Sequence, residues 1–77
     1  MIYNIVYDKN TRLRVRAGKE AFTKEETYGL TETLLKYEFI NNVQISHKNG
    51  SILIKYDDVK NKQEILHILD KISQKDR

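Results

Sequence analysis

The clearest chemical pattern in this chain is Arg12-Leu13-Arg14-Val15-Arg16-Ala17, in which a guanidinium alternates with an apolar side chain. Period two places successive side chains on opposite faces of a strand. Leu13, Val15 and Ala17 therefore face a core, and Arg12, Arg14 and Arg16 share the other face. A guanidinium offers planar paired donors that fit carboxylates and phosphates. Three of them on one strand repel one another unless they are solvated, paired or bound. The stretch Ser51-Ile52-Leu53-Ile54-Lys55-Tyr56 alternates in the same way and places Ser51, Leu53 and Lys55 beside the arginines. Arg12, Arg14, Arg16, Leu53 and Lys55 are the candidate interaction surface. It suits docking to an acidic protein surface or to anionic lipid headgroups. A second reading is a nucleic-acid face, for which Tyr3 or Tyr7 would have to stack bases from the sheet edge.

Other residues capable of chemistry are few. His47 falls at the turn end of a hairpin, and His67 lies on the side of a helix opposite Ile65 and Ile72. Their separation is not a ligand spacing such as i, i+4. Asp57-Asp58 sit where a strand passes into a helix, a setting that favours turn and cap roles over cation binding. Cysteine is absent, which excludes disulfides, thiolate metal sites and cysteine nucleophiles. Three isolated glycines form no phosphate-cradling loop, and no Ser/His/Asp arrangement or acid–base pair can be assembled. The sequence points to no enzyme and no cofactor.

The elements that position the arginines can be read in chain order. Seventy-seven residues make one domain, 1–77, with a single thin core. A net charge of +3 with 32% charged residues is a weak basic bias. No apolar run approaches the roughly 20 residues of a membrane span. Ile2-Tyr3-Asn4-Ile5-Val6-Tyr7 is rich in β-formers, and Asp8-Lys9-Asn10-Thr11 has loop composition. Thr23 and Glu26 form a capping box for a helix running to about Glu38, with Leu30, Leu34, Leu35 and Tyr37 as its buried stripe. Asn49-Gly50 predicts a two-residue type I′ hairpin turn. That turn pairs His47 with Ile52, Ile45 with Ile54 and Val43 with Tyr56, and leaves residues 43–48 as an outer strand. Asn61 is the expected N-cap of a second helix whose apolar face is Ile65, Leu66, Ile68, Leu69 and Ile72. The tail 73–77 is polar and expected to fray.

The order is ββαββα. Without the first strand it is the ferredoxin-like plan lacking its last strand. A hairpin from the first strand into residues 12–17 would fill the vacant fourth position. The expected fold is α+β: a ferredoxin-like two-layer sandwich, with a four-stranded antiparallel sheet and both helices on one face.

Two segments then carry a family resemblance. Thr11-Arg12-Leu13-Arg14-Val15-Arg16 is similar to a Gly-Arg-hydrophobic-Arg-hydrophobic-Arg segment, with Thr11 in place of the glycine. Asn49-Gly50-Ser51-Ile52-Leu53-Ile54-Lys55-Tyr56-Asp57 is similar to a Gly-Ser-hydrophobic-hydrophobic-hydrophobic-x-Tyr-Asp segment. Nearly the whole chain thus resembles the degenerate heavy-metal-associated domains at the N-termini of metal-transporting P-type ATPases. Metal-binding members carry Met-x-Cys-x-x-Cys before the first helix. Here that loop is Gly18-Lys19-Glu20-Ala21-Phe22-Thr23, with no soft or tetrahedral ligand set. The resemblance implies a cytoplasmic, non-catalytic regulatory or interaction module, tethered to the membrane through a parent cation transporter. Its partners would be other domains of the pump or another acidic surface. A homodimer through the outer strand is a further expectation.

Overall fold

In the computed structural model, which describes residues 3–19 and 21–75, the period-two segments make one sheet. β1 (Asn4–Lys9), β2 (Arg12–Arg16), β3 (Ile40–Ser46) and β4 (Ser51–Tyr56) lie in the order β1-β2-β4-β3, each antiparallel to its neighbour. α1 (Lys24–Leu35) joins β2 to β3, and α2 (Lys62–Lys75) follows β4. The fold is ferredoxin-like, and β1 fills the place of the absent last strand. A tight hairpin brings it there in the required direction. Residue 2, the expected start of that strand, lies outside the described residues.

One face of the sheet is buried. Leu13 and Val15 of β2, Val43 of β3 and Ile52, Ile54 and Tyr56 of β4 meet Leu34 of α1 and Ile65, Ile68 and Leu69 of α2. Both helices therefore cover the same face. α1 is held at its start by the expected capping box. Thr23 Oγ1 accepts from the Glu26 amide at 3.2 Å, and Glu26 Oε1 accepts from the Thr23 amide at 2.8 Å.

Several local expectations are corrected. β1 runs on through Asp8 and Lys9, so the loop shrinks to Asn10-Thr11, and β2 ends at Arg16 rather than Ala17. The two-residue turn with two positive φ angles is this first one: Asn10 has φ 54° and Thr11 φ 60°, with Lys9 opposite Arg12. At residues 47–50 the turn has four residues. Ser46 pairs with Ser51, and the Gly50 amide donates to the Ser46 carbonyl at 2.9 Å. Only Gly50, at φ 69°, is left-handed there. The pairing is displaced by two residues from expectation, so Ile45 faces Ile52 and Val43 faces Ile54. A displacement of two preserves the face of every side chain, which is why alternation could not detect it. His47 leaves the inner face for the turn, and the outer strand is Ile40–Ser46 rather than residues 43–48.

α1 ends at Leu35 rather than near Glu38, and Leu35 is exposed while Thr27 is buried. Asp58, not Asn61, is the cap that leads into α2. Its Oδ1 accepts from the Lys60 amide at 2.9 Å and starts a 3-10 turn, Val59–Asn61, that runs into the helix. Helical backbone continues through Ser73 and Gln74 to Lys75, where fraying is expected from polarity; residues 76–77 lie outside the described residues.

Candidate functional site

The register turns the uncovered face into three cross-strand rows. Arg12 lies between Lys9 of β1 and Lys55 of β4, with Asn42 of β3 beyond. Arg14 lies between Tyr7 and Leu53, with Gln44 beyond. Arg16 lies between Asn4 and Ser51, with Ser46 beyond. The five sequence candidates thus come together on one surface. All three arginines are exposed, and Leu53 and Lys55 are half-buried.

No carboxylate stands at any of these outward positions. Five cations do, so with a net charge of +3 the rest of the chain is net negative. Like charges directly opposite across strands are destabilising, and Arg12 has one on each side. The carboxylate nearest in sequence, Asp8, points to the other face and pairs with Lys62 of α2.

An open groove of about 590 Å³ runs over this face, lined by Val6, Tyr7, the three arginines, Asn49, Ser51 and Leu53. Its apolar wall comes from an irregularity. The β1–β2 register shifts between Ile5 and Tyr7, so Val6 is a bulge residue and lines the groove together with Tyr7. Both are exposed, at 52% and 43%. At the other end Ser51 Oγ donates to Asn49 Oδ1 at 2.8 Å, leaving the Asn49 amide nitrogen as a donor at the groove rim.

The sequence does not reveal Lys9, Val6 or Asn49 as parts of this face. Lys9 lies in a segment of loop composition, and the bulge has no signal beyond three consecutive apolar residues, Ile5-Val6-Tyr7. Tyr3, one of the two candidate stacking residues, belongs to the other layer. Its hydroxyl donates to Asp70 Oδ1 of α2 at 2.8 Å. Burial, then that bond and the Asp70 charge, push the hydroxyl up to about 12.

The remaining candidates have structural partners or stand apart. His47 is half-buried in the 47–50 turn, and His67 is exposed on α2. Asp58 is the cap described above, and the Asp57 amide donates to the Phe39 carbonyl at 2.9 Å. Among the described residues, no three His, Asp or Glu side chains are grouped closely enough to hold a metal ion. Glu20, in the loop that corresponds to the metal-binding loop of the resembled family, lies outside them. No described helix is long and apolar enough to cross a membrane. Both outer strands carry a bulge, Val6 in β1 and Asn41 in β3. Bulges of this kind twist an edge away from strand addition.

Compared with family models, curated proteins and solved structures, the chain gives no match.

Proposed function

We propose that this domain is a non-catalytic interaction module that docks an acidic partner surface through its open sheet face. The observation that carries this reading is the charge pattern. Five cations share twelve outward positions with no carboxylate, and one row sets three cations side by side. Such a row opposes folding and is relieved by an anionic ligand. The bulged edges favour the face over edge pairing as the contact surface.

The proposed setting is the cytoplasmic N-terminal module of a heavy-metal-transporting P-type ATPase, modulating or positioning the pump without a thiolate metal site. Two backbone features support the resemblance. The position where that family carries glycine is Thr11, at φ 60°, and the glycine of the second segment is Gly50, at φ 69°. Both positions take the left-handed backbone that glycine adopts most readily.

A titration of the ¹⁵N-labelled domain with a glutamate-rich peptide at low salt tests the docking reading. Amide shifts should concentrate on β2, β4 and β1, weaken with salt and vanish in Arg14→Glu. Shifts confined to the helical layer would sink the proposal. Parallel titrations with Cu(I), Zn²⁺ and Cd²⁺ should give no tight stoichiometric site at residues 18–23. Nucleic-acid binding is favoured by one observation, Tyr7 flanking Arg14 on the open face. Salt-dependent association with single-stranded RNA, abolished by Arg14→Glu, is the outcome it requires.

A further inference from the structure

We infer that the groove reads an extended acidic segment with the spacing acid-x-apolar-x-acid. This rests on the docking reading and goes beyond it by naming the pattern of the ligand.

Residues two apart along a strand are about 7 Å apart, so the rows through Arg12, Arg14 and Arg16 repeat at that distance. An extended peptide laid along β2 has the same repeat, and its alternate side chains meet successive rows in step. A helical ligand presents neighbours on one face about 5–6 Å apart and falls out of step by the third row.

Each row asks for a different group. The first, with Lys9, Arg12 and Lys55 side by side, takes a carboxylate. The second flanks Arg14 with Tyr7 and Leu53, and the bulge adds Val6. These side chains, with the aliphatic stem of Arg14, offer an apolar seat beside a guanidinium, which suits a phenylalanine or leucine. The third row offers the Arg16 guanidinium, with Ser51 and the free amide donor of Asn49 near it, and takes the second carboxylate. Tyr7 alone in this seat has a π face, and Val6 and Leu53 add aliphatic walls beside it. A mixed aromatic and aliphatic seat of this kind suits the apolar side chain of a peptide.

Fluorescence anisotropy with the full chain at low ionic strength tests the assignment. The probes are a labelled peptide with the core Asp-Ser-Phe-Ser-Asp, the scrambled core Asp-Asp-Phe-Ser-Ser, oligoglutamate and oligouridylate. The patterned peptide should bind about tenfold tighter than the scrambled one. That advantage should be lost in Leu53→Ser and in Tyr7→Ser. The Tyr7 variant lies on the exposed edge strand and tests the seat should the Leu53 variant fail to fold. Equal binding of patterned, scrambled and oligoglutamate probes overturns the spacing while leaving acidic docking standing. Failure of every acidic peptide overturns both readings. Oligouridylate binding tighter than any peptide overturns both in favour of nucleic acid.

Discussion

Gly50 packs against the backbone of Gly18 so closely that a Cβ at Gly50 would lie 2.7 Å from the Gly18 amide nitrogen and nearer still to its carbonyl group. The Gly50 carbonyl also accepts from the Ala17 amide at 2.7 Å. The four-residue turn is thereby locked onto the end of β2 and orients the Asn49–Ser51 side of the groove.

Gly50→Ala combines this clash with a left-handed backbone at φ 69°. It should cost about 3 kcal/mol, the sum of an αL penalty and an overpacking term. Gly18→Ala meets no atom within 4 Å but sits at φ 107°, and backbone strain alone should cost about 1–2 kcal/mol. Urea unfolding of both variants checks the order. Equal losses would show that the contact between the two glycines contributes nothing.

Element order, sheet order and the arginine face were legible in the sequence because they follow from alternation and from the direction a hairpin imposes. Asn49-Gly50 misled because the same glycine serves a two-residue turn or a four-residue turn, and the two differ by a register step of two that conserves every face. The true type I′ turn was hidden because Thr11, a β-branched residue, adopts φ 60° against its preference. Leu35 read as core because it is apolar and adjacent to Leu34. Consecutive positions of a helix point about 100° apart, and Leu34 is the one turned to the sheet while Leu35 is exposed. The groove's apolar wall depends on a bulge at Val6, and a bulge leaves no compositional mark.

Thr11→Gly should stabilise the domain. It converts the turn to Asn-Gly, the preferred type I′ pair, and removes the left-handed strain of a β-branched residue at φ 60°. Glycine's greater freedom in the unfolded chain offsets part of that gain. The net effect expected is about 0.5–1 kcal/mol, read from the shift in the midpoint of urea unfolding at constant m-value. The Tyr56 amide bonds to the Thr11 carbonyl at 3.0 Å, and this bond survives the change because it uses backbone alone. A loss of stability would show that the Thr11 side chain holds the turn.

Alkaline pH should weaken the packing between the N-terminal segment and α2. The Tyr3 hydroxyl, ordinarily near 10, stands at about 12. The folded state thus favours the neutral form. The stabilisation is complete below pH 10 and is lost as the pH rises to about 12. Lys62 is also raised, through its hydrogen bond to Asp8, so its contribution fades in the same direction above its ordinary value. Tyr3→Phe should cost about 1 kcal/mol at pH 8 through loss of the bond to Asp70. The gap to the natural chain should close between pH 10 and 12. A gap that stays constant over that range would assign the loss to packing rather than to the hydroxyl.

The row Lys9–Arg12–Lys55 should show opposed effects on stability and binding. Arg12 has a cation directly opposite on both neighbouring strands. Lys55→Glu turns one repulsive cross-strand pair into an attractive one, worth about 0.5 kcal/mol. The gain should shrink in 1 M salt, where screening acts within about 3 Å. The same substitution places a carboxylate where an acidic ligand is proposed to dock, so affinity for the acid-x-apolar-x-acid peptide should fall at least about tenfold. A surface whose charges served only solubility would gain the same stability and lose no binding on this change. A more stable domain that no longer binds is the signature of a face kept repulsive for its ligand. Thermal unfolding at two salt concentrations, set beside the anisotropy titration, measures both sides of that relation in one variant.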